Sequence, residues 1–242
     1  MMPPISLTQI VRQAEYRETR RKCYLLSEGT LTEPSFLDAI LSGSPYFDSN
    51  KSVEFYKTER SGKEFGINTL KGMIDIAHKN IINNKNIGFR KKKDKVIIFF
   101  DLDVYHSSIS NIKRLIEANK KYIIFIFVNP AIELFLLLCK ANSYEELIAT
   151  NLAKILKNER DPKTGNRFIH QLVIDHIGVD PKDSNADFSI FANGLQNAIN
   201  QEKMYLSKKL VNPNSNLISN FGVVIEKIKN GELDDIDYSV LG

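Results

Sequence analysis

The residues with most chemical potential in this chain are Asp101 and Asp103. The apolar run Val96-Ile97-Ile98-Phe99-Phe100 stops abruptly at Asp101-Leu102-Asp103 and is preceded by the basic stretch Arg90-Lys91-Lys92-Lys93-Asp94-Lys95. A Val/Ile/Phe run too short for a helix reads as a buried strand of a parallel sheet covered on both faces. In open α/β sheets ligands bind beyond the carboxyl ends of the strands. Two carboxylates at such an end are ligands for a hard cation, Mg²⁺ or Mn²⁺. The spacing alone leaves a second reading open, in which both aspartates cap the next helix.

Other carboxylates follow other predicted strands. Cys23-Tyr24-Leu25-Leu26 reads as a first strand ending at Ser27-Glu28-Gly29, where Gly29 suits a tight turn or a close ligand approach. Tyr122–Val128 reads as a further strand, ending at Asn129-Pro130 before a helix over 131–139 with Glu133 in its first turn. In a parallel sheet these strand ends share one edge, so Glu28, Asp101, Asp103 and Glu133 are expected in one crevice. Unpaired they repel and raise one another's pKa, and a bound cation removes that cost. Their convergence, more than any one residue, favours the metal site.

The remaining elements must position that crevice. Thr32-Glu33-Pro34 signals a helix start, with Thr32 as N-cap and Glu33 as a first-turn charge. Val53–Tyr56 is a candidate strand, and Ile67–Ile82 and Ile109–Asn119 are helices, the second with a serine cap. Alternation of strand and helix predicts an α/β core of βαβ units over residues 22–142, after a basic arm over 1–21. From Ser143 the pattern is helical. Ser143–Glu146 has the form of a capping box, and helices are expected over 143–158, 168–177, 187–206 and 217–230, the last capped by Asn212-Pro213-Asn214-Ser215 and ended by Gly231. Residues 143–242 are therefore expected to form a helical extension packed on the core.

Composition narrows the class. The 242 residues carry a net charge of +4, with basic residues gathered near the N-terminus and over 85–95, and an acidic C-terminal stretch. A basic rim beside an acidic site suits an enzyme acting on a polyanion, and equally a plain solvated surface. Cys23 and Cys139 sit in apolar runs and are expected as buried thiols, not a disulfide framework. No apolar run reaches membrane-spanning length, so a cytoplasmic protein without membrane contact is expected. No G-x-x-x-x-G-K-[ST] pattern supports nucleotide phosphotransfer.

Four ordered segments resemble the RloB-like group of Toprim-domain proteins: Glu28-Gly29-Thr30-Leu31-Thr32-Glu33-Pro34-Ser35-Phe36; Asp101-Leu102-Asp103 followed by His106; Asn129-Pro130-Ala131-Ile132-Glu133-Leu134-Phe135-Leu136-Leu137-Leu138; and Asn212-Pro213-Asn214-Ser215-Asn216. The chain departs from the group where a His often follows the Leu run, since Cys139-Lys140 stand there, and at Phe135, where Trp is common.

The resemblance implies a Toprim-like small parallel sheet sandwiched by helices, with Glu28, Asp101 and Asp103 gathering Mg²⁺ (or Mn²⁺) and Glu133 as a second ligand or an orienting group. It implies phosphodiester hydrolysis on nucleic acid, RNA such as tRNA or DNA, by an antiphage effector of abortive-infection type, beside an ABC-type or AAA ATPase partner. A homodimer is compatible with it. Glu28 is alternatively a general base, and Glu33, Gly29, Asn129 and Pro130 are structural parts of the motifs. Lys91, Lys92 and Lys93 are candidates for holding the nucleic-acid backbone, His106 for a phosphate contact or an acid, and Ser107 for a phosphate contact at a helix N-terminus. The competing expectation is a catalytically idle subunit that docks on the ATPase.

Overall fold

The computed structural model describes residues 20–29, 31–42, 53–58, 69–234, 236 and 238. Nearly all of the expected basic arm lies outside them. The core is a five-stranded sheet in the order β2-β1-β3-β4-β5. The strands are β1 (Arg21–Ser27), β2 (Val53–Lys57), β3 (Lys95–Asp101), β4 (Ile123–Asn129) and β5 (Ile218–Ser219). Pairings β1–β2, β1–β3 and β3–β4 are parallel, and β4–β5 is antiparallel. The mixed α/β class and the buried central strands agree with the sequence.

Side chains alternate across the sheet with the period of two that extended backbone imposes. Cys23, Leu25, Ile97, Phe99, Ile124 and Ile126 face one hydrophobic cluster, and Tyr24, Leu26, Ile98, Phe100, Phe125 and Phe127 face the other. The second face is covered by α2 (Leu70–Ile76), which runs on as a π-helical turn over Ala77–Ile82, and by α3 (Ile109–Asn119). The first is covered by α1 (Thr32–Ser42) and α4 (Glu133–Leu138) together with the later helices. These are α5 (Leu152–Lys157), α6 (Phe168–Ile177), α7 (Ser189–Asn193), α8 (Leu195–Tyr205) and α9 (Phe221–Asn230). Apolar residues of the helical half thus share one core with the sheet. Cys23 and Cys139 are buried and unpaired, and burial pushes the Cys23 thiol up to about 12. Among the described residues no helix is long and apolar enough to cross a membrane.

Several local expectations change for identifiable reasons. The helix expected over 187–206 is two helices that meet at Gly194, where an added Cβ would stand 2.2 Å from the Cys139 carbonyl oxygen. Close approach to α4 requires glycine there. Ser143 does not close a capping box, since its hydroxyl donates to Gln201 (3.4 Å) and the helix opens with a π turn over Tyr144–Ile148. The Ser108 hydroxyl donates to the Tyr105 carbonyl, not to α3. Thr32 lies inside α1, and its hydroxyl reaches the Pro181 carbonyl (2.9 Å).

The last expected helix begins late, because Ile218–Ser219 pairs with Val128–Asn129 as a short strand. The Asn212–Ser215 stretch is a turn, not its cap. The start of α9 is instead held by Glu202 of α8. The Glu202 carboxylate is fully buried and accepts from the Ser219 hydroxyl (2.6 Å), Gly222 N (2.9 Å) and Val223 N (3.1 Å). It satisfies helix N–H groups that have no intrahelical acceptor. Asn220 turns the other way and acts as a substitute strand: its amide accepts from Phe127 N (2.9 Å) and donates to the Phe125 carbonyl (2.9 Å).

At the opposite end of the sheet, buried Asp94 pins the basic loop. It accepts from Lys22 N (3.0 Å), Arg90 N (2.9 Å) and the Arg90 guanidinium (2.5 Å). Burial alone would raise its pKa, but these bonds outweigh it and hold the carboxyl below its ordinary value.

Two predictions follow from these buried carboxylates. Burial pushes Glu202 from 4.5 up to about 7 despite its hydrogen bonds. The folded state therefore prefers the protonated acid. That preference stabilises below about pH 4.5, is lost as pH rises, and is fully lost above about pH 7, a swing of roughly 3 kcal/mol. Urea unfolding at both pH extremes should show wild type losing stability relative to Glu202→Gln as pH rises, and parallel curves would refute it. Asp94→Ala should lower stability by about 2 kcal/mol in the same assay, because the Lys22 and Arg90 donors lose their buried acceptor.

Candidate active site

Parallel pairing puts the carboxyl ends of β1, β3 and β4 side by side. Ser27 pairs with Phe99 and Asp101 with Val128, so the residues that follow these strands open onto one edge. There they line a cleft of ≈380 Å³ formed by Glu28, Gly29, Thr32, Glu33, Asp101, Asp103, Ile132, Glu133, Arg167 and Lys182, with Leu31 and Ala131. Glu28, Asp101, Asp103 and Glu133, widely separated in the chain, are together. Glu33 joins them instead of acting only as a helix-start charge.

Backbone bonds fix the carboxylates. Glu28 N donates to the Phe99 carbonyl (3.0 Å), continuing the β1–β3 ladder by one residue, and the Glu28 carboxylate accepts from Asp101 N (3.4 Å). Glu33 accepts from Gly29 N (3.1 Å). A Cβ on Gly29 would lie 2.0 Å from Glu33 Oε2, so a larger residue there would push the Glu33 carboxylate out of this contact. Asp101 Oδ1 accepts from Ile132 N (3.0 Å), and Asp103 N donates to the Pro130 carbonyl (3.2 Å). The D-x-D turn and the turn after β4 therefore hold each other. The Asn129–Pro130 bond is cis. The Asn129 amide donates to the carbonyls of Pro213 (2.8 Å) and Asn216 (2.7 Å), which joins the two Asn-Pro segments singled out in the sequence.

Charge in the cleft is unevenly balanced. Burial, then the neighbouring Glu33, Glu133, Asp103 and Glu28, pushes the Asp101 carboxyl well above its ordinary range. The side chains that face these carboxylates come from the helical half. Arg167 Nη1 lies 2.5 Å from Asp103 Oδ2. His170, fully buried on α6, places Nδ1 3.2 Å from Glu133 Oε1 and Nε2 3.1 Å from Asp180 Oδ1. Lys182 lines the cleft beyond Asp180. The Thr32–Pro181 bond ties this 180–182 segment to the start of α1.

Arg167, His170, Asp180 and Lys182 were not singled out in the sequence. One signal was present: Arg167 and His170 are three residues apart, and His170 stands in the apolar run Phe168–Ile177, where a histidine needs a polar partner. No histidine follows the Leu run of α4, yet His170 brings an imidazole to Glu133 from another helix. The side chains of His106 and Ser107 lie outside the described residues. Lys91, Lys92 and Lys93 precede β3, whereas the cleft follows it, so these lysines stand at the opposite edge of the sheet.

The donor set fits a hard divalent cation in type, being carboxylate oxygens whose mutual repulsion has already raised Asp101. It is not closed around a point: among the described residues no three His, Cys, Asp or Glu side chains stand together as a metal-ligand group. The oxygens are instead engaged by Asp101 N, Gly29 N, Ile132 N, Arg167 and His170. A cation would draw them from these partners.

No curated protein and no solved structure matches the chain. A family model for RloB-like protein matches residues 23–228, the span that contains the sheet from Cys23 of β1 onward and all the cleft residues, and the chain belongs to the RloB-like family.

Proposed function

We propose that this chain is a Toprim-type, divalent-metal-dependent phosphodiester hydrolase acting on nucleic acid. The observation that carries the reading is the convergence of Glu28, Asp101, Asp103 and Glu133 on one cleft, with Asp101 raised by its acidic neighbours. Glu28, Asp101, Asp103 and Glu133 would hold Mg²⁺ or Mn²⁺. When bound, the ion supplies an activated water and neutralises charge on the phosphoryl oxygens.

The chain's own groups divide the remaining work. Arg167 and Lys182 line the cleft and are the cations suited to hold a phosphate there. Arg167 also holds Asp103 while no cation competes for it. His170 orients Glu133, as a hydrogen-bonded neighbour orients a ligating carboxylate in metal sites. The wider role, an antiphage effector working beside an ABC-type ATPase, is supported only by the motif resemblance. A second reading, a docking subunit whose cleft is structural, is favoured by one observation: the carboxylates already have N–H, guanidinium and imidazole partners.

The deciding experiment is cleavage of labelled tRNA and plasmid DNA with Mg²⁺ or Mn²⁺, wild type beside Asp101→Ala, with calorimetric titration of Mn²⁺. Cleavage and ion binding both lost in the variant support the hydrolase and choose its substrate. Absence of ion binding in wild type supports the docking subunit. His170→Gln should weaken Mn²⁺ affinity by roughly 10- to 100-fold through Glu133. Arg167→Ala should separate two effects, binding Mn²⁺ no more weakly than wild type because Asp103 is released, while cleavage falls.

A further inference from the structure

The lysines displaced from the cleft form a groove of their own. Lys91, Lys92, Lys95, Lys120 and Lys121 line a depression of ≈730 Å³ at the amino ends of β3 and β4, closed on one side by Asp234, Ile236 and Tyr238. Lys95 opens β3 and Asp101 ends it. At strand rise that separates the groove from the acidic cleft by about 20 Å.

Three features make this more than a solvated charge run. First, the loop carrying Lys91 and Lys92 is pinned by buried Asp94, so the lysines are presented on a fixed turn. Second, Lys91 and Lys121 are gathered over one ring, their Nζ atoms 6.0 and 5.2 Å from the Tyr122 centroid. Tyr122 packs edge-on to Phe89, and Phe89 against Tyr24. Third, the groove already holds one oxyanion: the Asp234 carboxylate lies 2.8 Å from both Lys95 Nζ and Arg21 Nη2. Lys120 is paired with Glu117. Among the described residues Lys91, Lys92 and Lys121 have no carboxylate partner, so three exposed ammonium groups crowd one concave surface.

Crowded like charges favour a polyanion, and lysine holds phosphate as a mobile point charge without reading a base. We propose that this groove is a second nucleic-acid contact, binding the phosphodiester backbone of a single strand at the sheet edge opposite the cleft. The groove's occupancy does not depend on chemistry in the cleft, so it stands or falls apart from the hydrolase reading.

The test is fluorescence anisotropy of a labelled single-stranded RNA of about 16 nucleotides, titrated with the full chain in EDTA across a range of salt. The triple variant Lys91→Ala/Lys92→Ala/Lys121→Ala keeps Lys95 and its partner Asp234. It should bind at least roughly tenfold more weakly at low salt, with the slope of log K against log salt reduced by about 2. Its melting temperature should match wild type. Absence of RNA binding by wild type, or an unchanged slope in the triple variant, would overturn the proposal. So would a slope lowered by Arg167→Ala with Lys182→Ala but not by the triple variant, which would put the strand in the cleft. Loss in the triple variant of binding to phosphatidylserine vesicles, with RNA binding intact, would assign the groove to a membrane surface instead.

Discussion

Repulsion among Glu28, Glu33, Asp101, Asp103 and Glu133 is the constraint around which this molecule is built. Parallel strands deliver carboxylates to one edge whether or not they tolerate one another, and a partly buried cluster of this kind would drive its surroundings apart or take up protons. Here backbone N–H groups of the strand-end turns take part of the load. Arg167 and His170 take another part, and both belong to the helical half of the chain. The sheet makes the site, and α6 makes it tenable.

That dependence explains why the helical half is fastened so thoroughly to the sheet. The Thr32 hydroxyl grips Pro181, the Asn129 amide grips the 213–216 turn, and Glu202 joins α8 to the start of α9 just beyond β5. Each fastening is a polar bond in a buried or half-buried place, where it has a defined geometry and leaves an unsatisfied group if broken. Apolar packing alone would hold the layers together but tolerate sliding. These bonds fix the register between the segments that carry Arg167 and His170 and the strand ends and helix starts that carry the acids.

Much of this was legible from residue order. The buried runs at 96–100 and 123–128, the parallel sheet and the meeting of Glu28, Asp101, Asp103 and Glu133 follow from hydrophobic runs and from the rule that parallel strands end together. The partners from α6 did not emerge, because Arg167 and His170 gain their meaning from a tertiary approach to which no local pattern points. The late start of α9 escaped for a related reason: its N-terminus is satisfied by Glu202, some twenty residues earlier, and not by a neighbouring Ser or Asn. Thr32 and Ser143 have residue types that favour caps, yet their hydroxyls bond to Pro181 and Gln201 instead of the local backbone. The lysine run was visible as charge, but its place on the far edge became evident only once β3 had a direction.

The coverage of β4 bears on how this chain behaves in company. β5 pairs only with the last two residues of β4, so the strand Ile123–Asn129 would otherwise present bare backbone at Phe125 and Phe127 on the margin of the sheet. Asn220 satisfies Phe127 N and the Phe125 carbonyl, and the Tyr238 hydroxyl meets Phe125 N at 2.6 Å. A strand this apolar, left with unpaired donors and acceptors, is a template for another chain's strand and a seed for aggregation. Two side chains brought from far along the sequence close that template, so Asn220 and Tyr238 guard the margin of the sheet as well as complete it.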